Sequence, residues 1–577
     1  MSRKELKVDS VAEAYLALLA ERGVEYLFAN AGTDFAPIVE AYARAAHSGL
    51  PAPKPLLATH ENLAMSMAHG YAAASGRIPA VMVHVSVGTA NALCGVFNAA
   101  RANVPILFTA GRSPLTEEGL PGGLPGARDT YIHWAQEMFD QAGMLREIVK
   151  WDYELRNGVQ LETIVDRALT IATSPPEGPV YLSLPREVLA EKLPGFAYDA
   201  PSRHVAASPP APDEAAIAAA ARLLASAQNP VIVTADAGRD RAAVPALAQF
   251  AERFAIPVVE HRQRHLSLPA DHPCHLGYNP ASLIEGADAI LVIDCDVPWI
   301  PSRQTPAPDC RVVHIGVDPL FSRYPVRGFT CDVAVTGATR LVLPRLAAVM
   351  APLMPEPAIA ARRRRVAERR EAMLAGWRKM RDEVRAMHPI SPVWVSACLA
   401  EARDPLSAIV NEYTLLPEHC PSNRVGSFFG SSPAAGLGWG AGAALGVKLA
   451  EPDRQVIAVL GDGSYLFANP VAVHHASTLH RLPVLFVVVN NAMWGAVRRA
   501  TLGMYPKGDA SRSNRPPFID LDDLPAFEQV CEASGGYGER VEDPAELPAA
   551  LQRALHAVNV EKRQALLNVI CQGGGGG

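Results

Sequence analysis

The chain has 577 residues, 49% of them hydrophobic and 19% charged, a composition far from that of disordered chains. At about 150 residues per domain, it predicts about three or four domains. Its 53 Lys and Arg against 59 Asp and Glu leave a formal net charge of −6 without an extended basic face, so nucleic acid is not an expected partner. No apolar run approaches the roughly 18 residues of a membrane span, no signal peptide is read, and the nine cysteines stand singly without CxxC pairs, which fits a cytoplasmic protein and not a zinc ribbon or disulfide framework.

The first segment, MSRKELKVDSVAEAYLALLAERG, reads as a charged amphipathic helix. Apolar runs then alternate with helix-like segments: YLFAN (26–30), AVMVHV (80–85), PILFTAG (105–111) and PVYLSLP (179–185). Such alternation predicts a parallel sheet, and residues 1–192 are taken as the first domain. A Pro-rich stretch at 193–212 has linker composition. A second alternating block, 213–350, contains PVIVTAD (230–236), IPVVEH (256–261), AILVIDCD (289–296) and CRVVHIGVD (310–318), and is Rossmann-like in outline. Residues 351–388 predict a largely solvated linker helix. Its four adjacent arginines, 362–365, read either as a solvated face or as an anion contact. A third block, 389–572, holds SAIVNE (407–412), QVIAVLGDGS (455–464) and LPVLFVVVNN (482–491), followed by a glycine tail at 573–577. The fold class expected is α/β, with three doubly wound parallel-sheet domains.

The most informative pattern is Gly461-Asp462-Gly463 after one apolar strand and, 26 residues on, Asn490-Asn491 after another. Both fall at the carboxyl ends of strands, the edge where open parallel sheets bind ligands. Glycines admit a phosphate to the backbone, while Asp and Asn offer hard oxygen ligands, which suits magnesium with a diphosphate. Each half alone also reads as an ordinary turn or helix cap.

Together these residues resemble the diphosphate-binding signature of thiamin-diphosphate (ThDP) enzymes. The resemblance implies Mg²⁺ held by Asp462, Asn491 and the carbonyl of Met493, with Gly461, Gly463 and Ser464 in the diphosphate cradle. It also requires a glutamate against the cofactor's aminopyrimidine ring, and THENLAMSMAHGYAAASG (59–76) matches that family pattern with Glu61 in place. A buried carboxylate there favours the imino form of the ring's amino group, which removes the thiazolium proton to give the ylid. A first-turn or N-cap residue is the alternative reading of Glu61. Leu437 takes the place of the apolar residue that bends the cofactor, and Asn411 and Glu412 open a segment resembling the one beneath its diphosphate.

The order of domains is that of the pyruvate oxidase, acetolactate synthase and benzoylformate decarboxylase branch, and the resemblance covers nearly the whole chain. It is similar above all to benzoylformate decarboxylase, because His84 in HVSVGTAN follows Glu61 by the same 23 residues. The resemblance makes His84 a second catalytic residue, an imidazole that moves protons near neutral pH; a strand-end structural histidine is the alternative. Thr33 in FANAGTDFAP falls at a substrate-binding serine, or else caps a helix; Gln136 corresponds to a glutamine of synthases and oxidases, or is a plain helix residue. Trp494 completes the substrate candidates, although its place three residues after Asn491 does not equate it with the acetolactate synthase tryptophan. Two departures stand out: DVPWIPSRQTP lacks the middle-domain histidine of benzoylformate decarboxylase, and Ala500 follows Arg498 and Arg499 where a bulky aromatic is expected. The middle domain lacks a GxGxxG fingerprint, so FAD is not expected. The implied function is decarboxylation of a 2-oxo acid through the ylid and an enamine, ending in aldehyde release or ligation. A lyase of the 2-hydroxyacyl-CoA or oxalyl-CoA decarboxylase kind, with Arg303 or arginines 362–365 on the CoA phosphates, and an acetolactate synthase-like transferase are the alternatives. Family sites lie between subunits, which implies a homodimer or homotetramer.

Overall fold

The computed structural model describes residues 2–119, 125–513 and 515–573; most of the glycine tail, 574–577, lies outside them. In chain order the strands are β1 (Ser2–Leu6), β2 (Tyr26–Ala29), β3 (Lys54–Leu57), β4 (Ala80–Val83), β5 (Leu107–Arg112), β6 (Asp152–Glu154), β7 (Val180–Pro185) and β8 (Phe196–Ala200). The middle region contributes β9 (Pro230–Thr234), β10 (Val258–Glu260), β11 (Ala289–Ile293), β12 (Arg311–Gly316) and β13 (Val333–Thr336). The last region contributes β14 (Ala408–Glu412), β15 (Phe428–Gly430), β16 (Val456–Gly461), β17 (Leu485–Asn490), β18 (Tyr537–Val541) and β19 (Ala565–Ile570).

These build three parallel sheets in the orders β3-β2-β4-β5-β7-β6, β10-β9-β11-β12-β13 and β15-β14-β16-β17-β19-β18. The fold is therefore α/β in three parallel-sheet domains, and the strand order explains why the central strands read as unbroken apolar runs: β4, β7, β9 and β11 are buried at every residue because helices cover both faces. Each sheet reverses its order beside its first strand, at β2/β4, β9/β11 and β14/β16, and the crevices so created open at the strands' carboxyl ends.

Two segments depart from the sequence reading. Residues 2–6 are not helical: β1 pairs antiparallel with β8, which lies within the stretch read as a linker. The helix begins at Val11, where Ser10 caps the amide of Glu13 and the Glu13 carboxylate bonds back to the amide of Asp9 at 3.0 Å. Within the stretch 351–388 a helix runs Glu356–Val384, after a separate short turn at Ala351–Leu353.

The first and last domains meet through two helices, Glu61–Ser75 and Trp439–Ala450. Their backbones approach so closely that a Cβ on Gly70 would overlap the Ala443 carbonyl and one on Gly446 the Met67 carbonyl. This glycine seam fixes the positions of Glu61, first residue of one helix, and Leu437, two residues before the other.

Candidate active site

At the β2/β4 crevice, β2 delivers Thr33 and Asp34, β4 delivers His84, and Glu61 follows β3. Glu61 is 8% exposed; its Oε2 accepts from Asn91 Nδ2 at 3.2 Å, and Gly88 leaves room beside Oε1. The N-cap of this helix is His60, whose Nδ1 accepts from the amide of Asn62, so Glu61 is free of that duty.

The His84 imidazole places Nδ1 2.5 Å from Asp34 Oδ1. That hydrogen bond, helped by Gln136 and the charge of Glu61, raises its pKa above the ordinary histidine range against the opposing effect of burial. The next residue, Val85, has φ +31°, a strained value for a β-branched side chain. Tyr413 after Glu412 and Ala492 after Asn491 are likewise left-handed, at φ +74° and +49°. Thr33 is exposed, makes no cap bond, and stands 3.5 Å from His133 Nε2. The His133 side chain is buried, which together with Arg186 lowers its pKa. Gln136 Oε1 is buried without a hydrogen-bond partner.

The β14/β16 crevice gathers the second cluster. Asp462 accepts from the amides of Gly463 at 2.7 Å and Asn491 at 3.1 Å, and burial pushes its carboxyl upward against these amides. Asn491 Oδ1 accepts from the Met493 amide at 3.2 Å, which brings Asp462, Asn491 and Met493 together. Among the described residues no cluster of three His, Cys, Asp or Glu has metal-binding geometry; this trio has one carboxylate and depends on an amide and a carbonyl oxygen. Trp494 covers the turn, its ring so close that a Cβ on Gly463 would overlap it, and meets Phe467 edge-on with centroids 5.7 Å apart. Thr414 Oγ1, buried and unpartnered, has its methyl beside Gly461. An orphaned buried hydroxyl near this turn fits an oxygen-rich group such as a diphosphate.

Asn411 and Glu412 are held more tightly than a sequence pattern conveys. Asn411 exchanges two bonds with the backbone of Leu415. Both Glu412 oxygens accept from amides at the start of the helix Trp439–Ala450, Gly438 at 2.8 Å and Gly440 at 2.6 Å, and burial pushes the carboxyl up to about 7. Glu412 thereby anchors the loop carrying Leu437, which Asn98 also clasps through both the N–H and the carbonyl of Gly436. Ser464 is buried within hydrogen-bonding influence of Glu412.

Among the described residues no hydrogen bond or ion pair joins Glu61 or His84 to Asp462, Asn491 or Met493, so these residues form two separate clusters. At the middle domain's β9/β11 crevice, Arg264 donates to Asp296 at 3.0 Å and lies 3.8 Å from Asp236, and Tyr324 donates to Asp296 at 2.8 Å. Arg362 and Arg365 bond to the carbonyls of Ala227 and Gln228, just before β9 and hence at the opposite edge of that sheet. Arg303, Arg498, Arg499 and Ala500 are exposed. Sequence reasoning missed Asp34, His133 and Thr414. Asp34 and Thr414 adjoin or nearly adjoin residues singled out by motif, which was their only signal, and His133 had none.

Family models match three parts of the chain: the thiamine pyrophosphate enzyme N-terminal TPP binding domain over 9–144, the central domain over 217–346 and the C-terminal TPP binding domain over 412–569. The chain is 27% identical to benzoylformate decarboxylase of Pseudomonas aeruginosa, covering 95% of this chain and 97% of that one. It is 24% identical to the acetolactate synthase isozyme 3 large subunit of Escherichia coli, covering 96% and 93%. Among solved structures, a thiamine diphosphate-dependent 4-hydroxybenzoylformate decarboxylase of Rhodococcus jostii superposes with TM-score 0.77 at 23% identity, covering 98% of this chain and 99% of that one.

Proposed function

This chain belongs to the family of thiamin-diphosphate-dependent enzymes related to benzoylformate decarboxylase and acetolactate synthase, and we propose that it uses ThDP and Mg²⁺ to decarboxylate a 2-oxo acid. When bound, ThDP supplies a carbon nucleophile and an electron sink, the chemistry that loss of CO₂ requires.

The observation that carries the reading is the pair of clusters at two switch-point crevices, one with Glu61 and His84, the other with Asp462, Asn491 and Met493. Asp462, Asn491 Oδ1 and the Met493 carbonyl would hold Mg²⁺, with Gly461, Gly463, Ser464 and Thr414 around the diphosphate and Leu437 beneath the cofactor's bend. Glu61 would hold the aminopyrimidine ring through one carboxyl oxygen while Asn91 keeps the other in place. The exposed Thr33 hydroxyl would bind the substrate carboxylate, His84 would pass a proton to the nascent product, and Trp494 would exclude water from the Mg²⁺ side. The Gln136 side chain faces His84 and favours its protonated form.

Read as half-sites, the two clusters support a homodimer, or a homotetramer of two such dimers, in which a second copy completes each cofactor site. The side chains of Tyr131 and Phe139, 82% and 110% exposed, stand near the first half-site in sequence and are available to such an interface. Aldehyde ligation, as a synthase-like relative would perform, is the second outcome of the same chemistry. The CoA-thioester reading loses its support from Arg362 and Arg365, which lie at the far edge of the middle sheet.

Glu61→Gln tests the reading: ThDP should still bind while CO₂ release falls by about 10²-fold or more. Wild-type turnover in that variant would refute it.

A further inference from the structure

We propose that Asp34 is the positioning residue of His84, fixing the imidazole through Nδ1 so that Nε2 is the nitrogen offered to the substrate. The proposal rests on the role given to His84 above.

Asp34 is 2% exposed, and among the described residues its only ion-pair partner is His84. A carboxyl withdrawn from water with no arginine or lysine beside it gains most from a partner that can carry positive charge. Its second oxygen is turned toward the amide of Val85, 3.4 Å away, at the start of the helix Val85–Arg101. The carboxyl therefore spans the imidazole and the backbone that carries it. The surroundings are shaped for this contact: a Cβ on Gly111 would overlap Asp34 Oδ2 and one on Gly32 would overlap His84 Nδ1. With a carboxylate oxygen at 2.5 Å, Nδ1 carries hydrogen in the neutral and the cationic ring alike, leaving Nε2 as the nitrogen that gains and loses the proton.

Three titratable groups face His84 from the elements around it. Asp34 acts from the turn after β2, Glu61 from the helix Glu61–Ser75, and His133 from the short helix Ile132–Ala135. Asp34 and Glu61 favour the imidazolium, with Asp34 the larger influence, while a charge on His133 opposes it. His84 is thus kept as a proton donor to higher pH than a free histidine, where an anionic 2-oxo acid also gains from the positive charge.

The experiment compares holoenzyme, Asp34→Asn, Asp34→Ala and His84→Ala in the pH profile of CO₂ release from a 2-oxo acid, and follows His84 by NMR of ¹³C-histidine-labelled protein, its signal assigned by His84→Ala. The Asp34→Asn side chain keeps an oxygen at Nδ1 without the charge. The His84 titration and the matching limb of the rate profile should both move to lower pH by about one unit or more in Asp34→Asn, with kcat near neutral pH falling about tenfold and recovering toward acid. Asp34→Ala should add a loss that acid does not restore, because the ring is then unoriented. An unchanged His84 titration in Asp34→Asn overturns the proposal. If the titration moves while His84→Ala keeps the wild-type rate profile, the coupling stands and it is the catalytic role of His84 that fails.

Discussion

Glu412→Gln offers the sharpest test of how the second half-site is held. The wild-type carboxyl is fully buried, forms no salt bridge among the described residues, and is pushed from about 4.5 up to about 7. A folded-state value above the unfolded one means that the folded protein binds the proton more tightly. Stability is therefore greatest below about pH 4.5, falls as pH rises toward 7, and levels off above it. At about 1.4 kcal/mol per unit, the interval corresponds to about 3 kcal/mol lost across that window. Glutamine does not titrate and lacks this slope; it also turns a donor toward Gly438 or Gly440, a constant cost of about 1–3 kcal/mol. The assay is urea unfolding of the cofactor-free protein from pH 5 to 8, followed by tryptophan fluorescence, to which Trp439 at the start of the anchored helix contributes. The wild-type midpoint should fall relative to the variant as pH rises to 7. Parallel pH dependences would refute the argument that Glu412 is a buried carboxyl holding this helix.

Three further outcomes are expected. Gly446→Ala forces a methyl onto the Met67 carbonyl, costs about 1–3 kcal/mol in unfolding experiments and weakens ThDP affinity by moving Glu61, whereas an unchanged midpoint would show the helix seam to be loose. Asp462→Ala abolishes Mg²⁺-dependent ThDP binding measured by calorimetry while leaving the circular dichroism spectrum intact; undiminished affinity would remove Asp462 from the metal site. His84→Ala lowers kcat by about 10²-fold or more, and an unchanged rate and pH profile would return it to a structural role.

The parallel-sheet domains were legible because central strands covered on both faces leave continuous apolar runs. Edge strands β3, β15 and β18 leave no such trace, because β3 and β18 are largely exposed or half-exposed and β15 has only three residues, whereas the edge strand β10 is buried throughout and shows as an apolar run. The β1–β8 pair joins residues almost 200 apart in the chain, and polar SRKEL carries no sign of it. The Ser10–Glu13 capping box marks where the helix begins, a signal that the reading of residues 1–23 as one helix passed over. The Asp462–Asn491 cluster was visible because its members end adjacent strands of one motif. Asp34 was not, because its meeting with His84 depends on β2 and β4 being neighbours, which no local spacing encodes. The orphaned Thr414 hydroxyl and the buried His133 become apparent only from burial in three dimensions.

The central claim is tested most directly by mass spectrometry of products after the protein, loaded with ThDP and Mg²⁺, is incubated with a panel of 2-oxo acids with and without aldehydes. The account predicts ThDP-dependent release of CO₂ with formation of an aldehyde or a 2-hydroxy ketone. Stoichiometric cofactor binding with no 2-oxo acid consumed would contradict it.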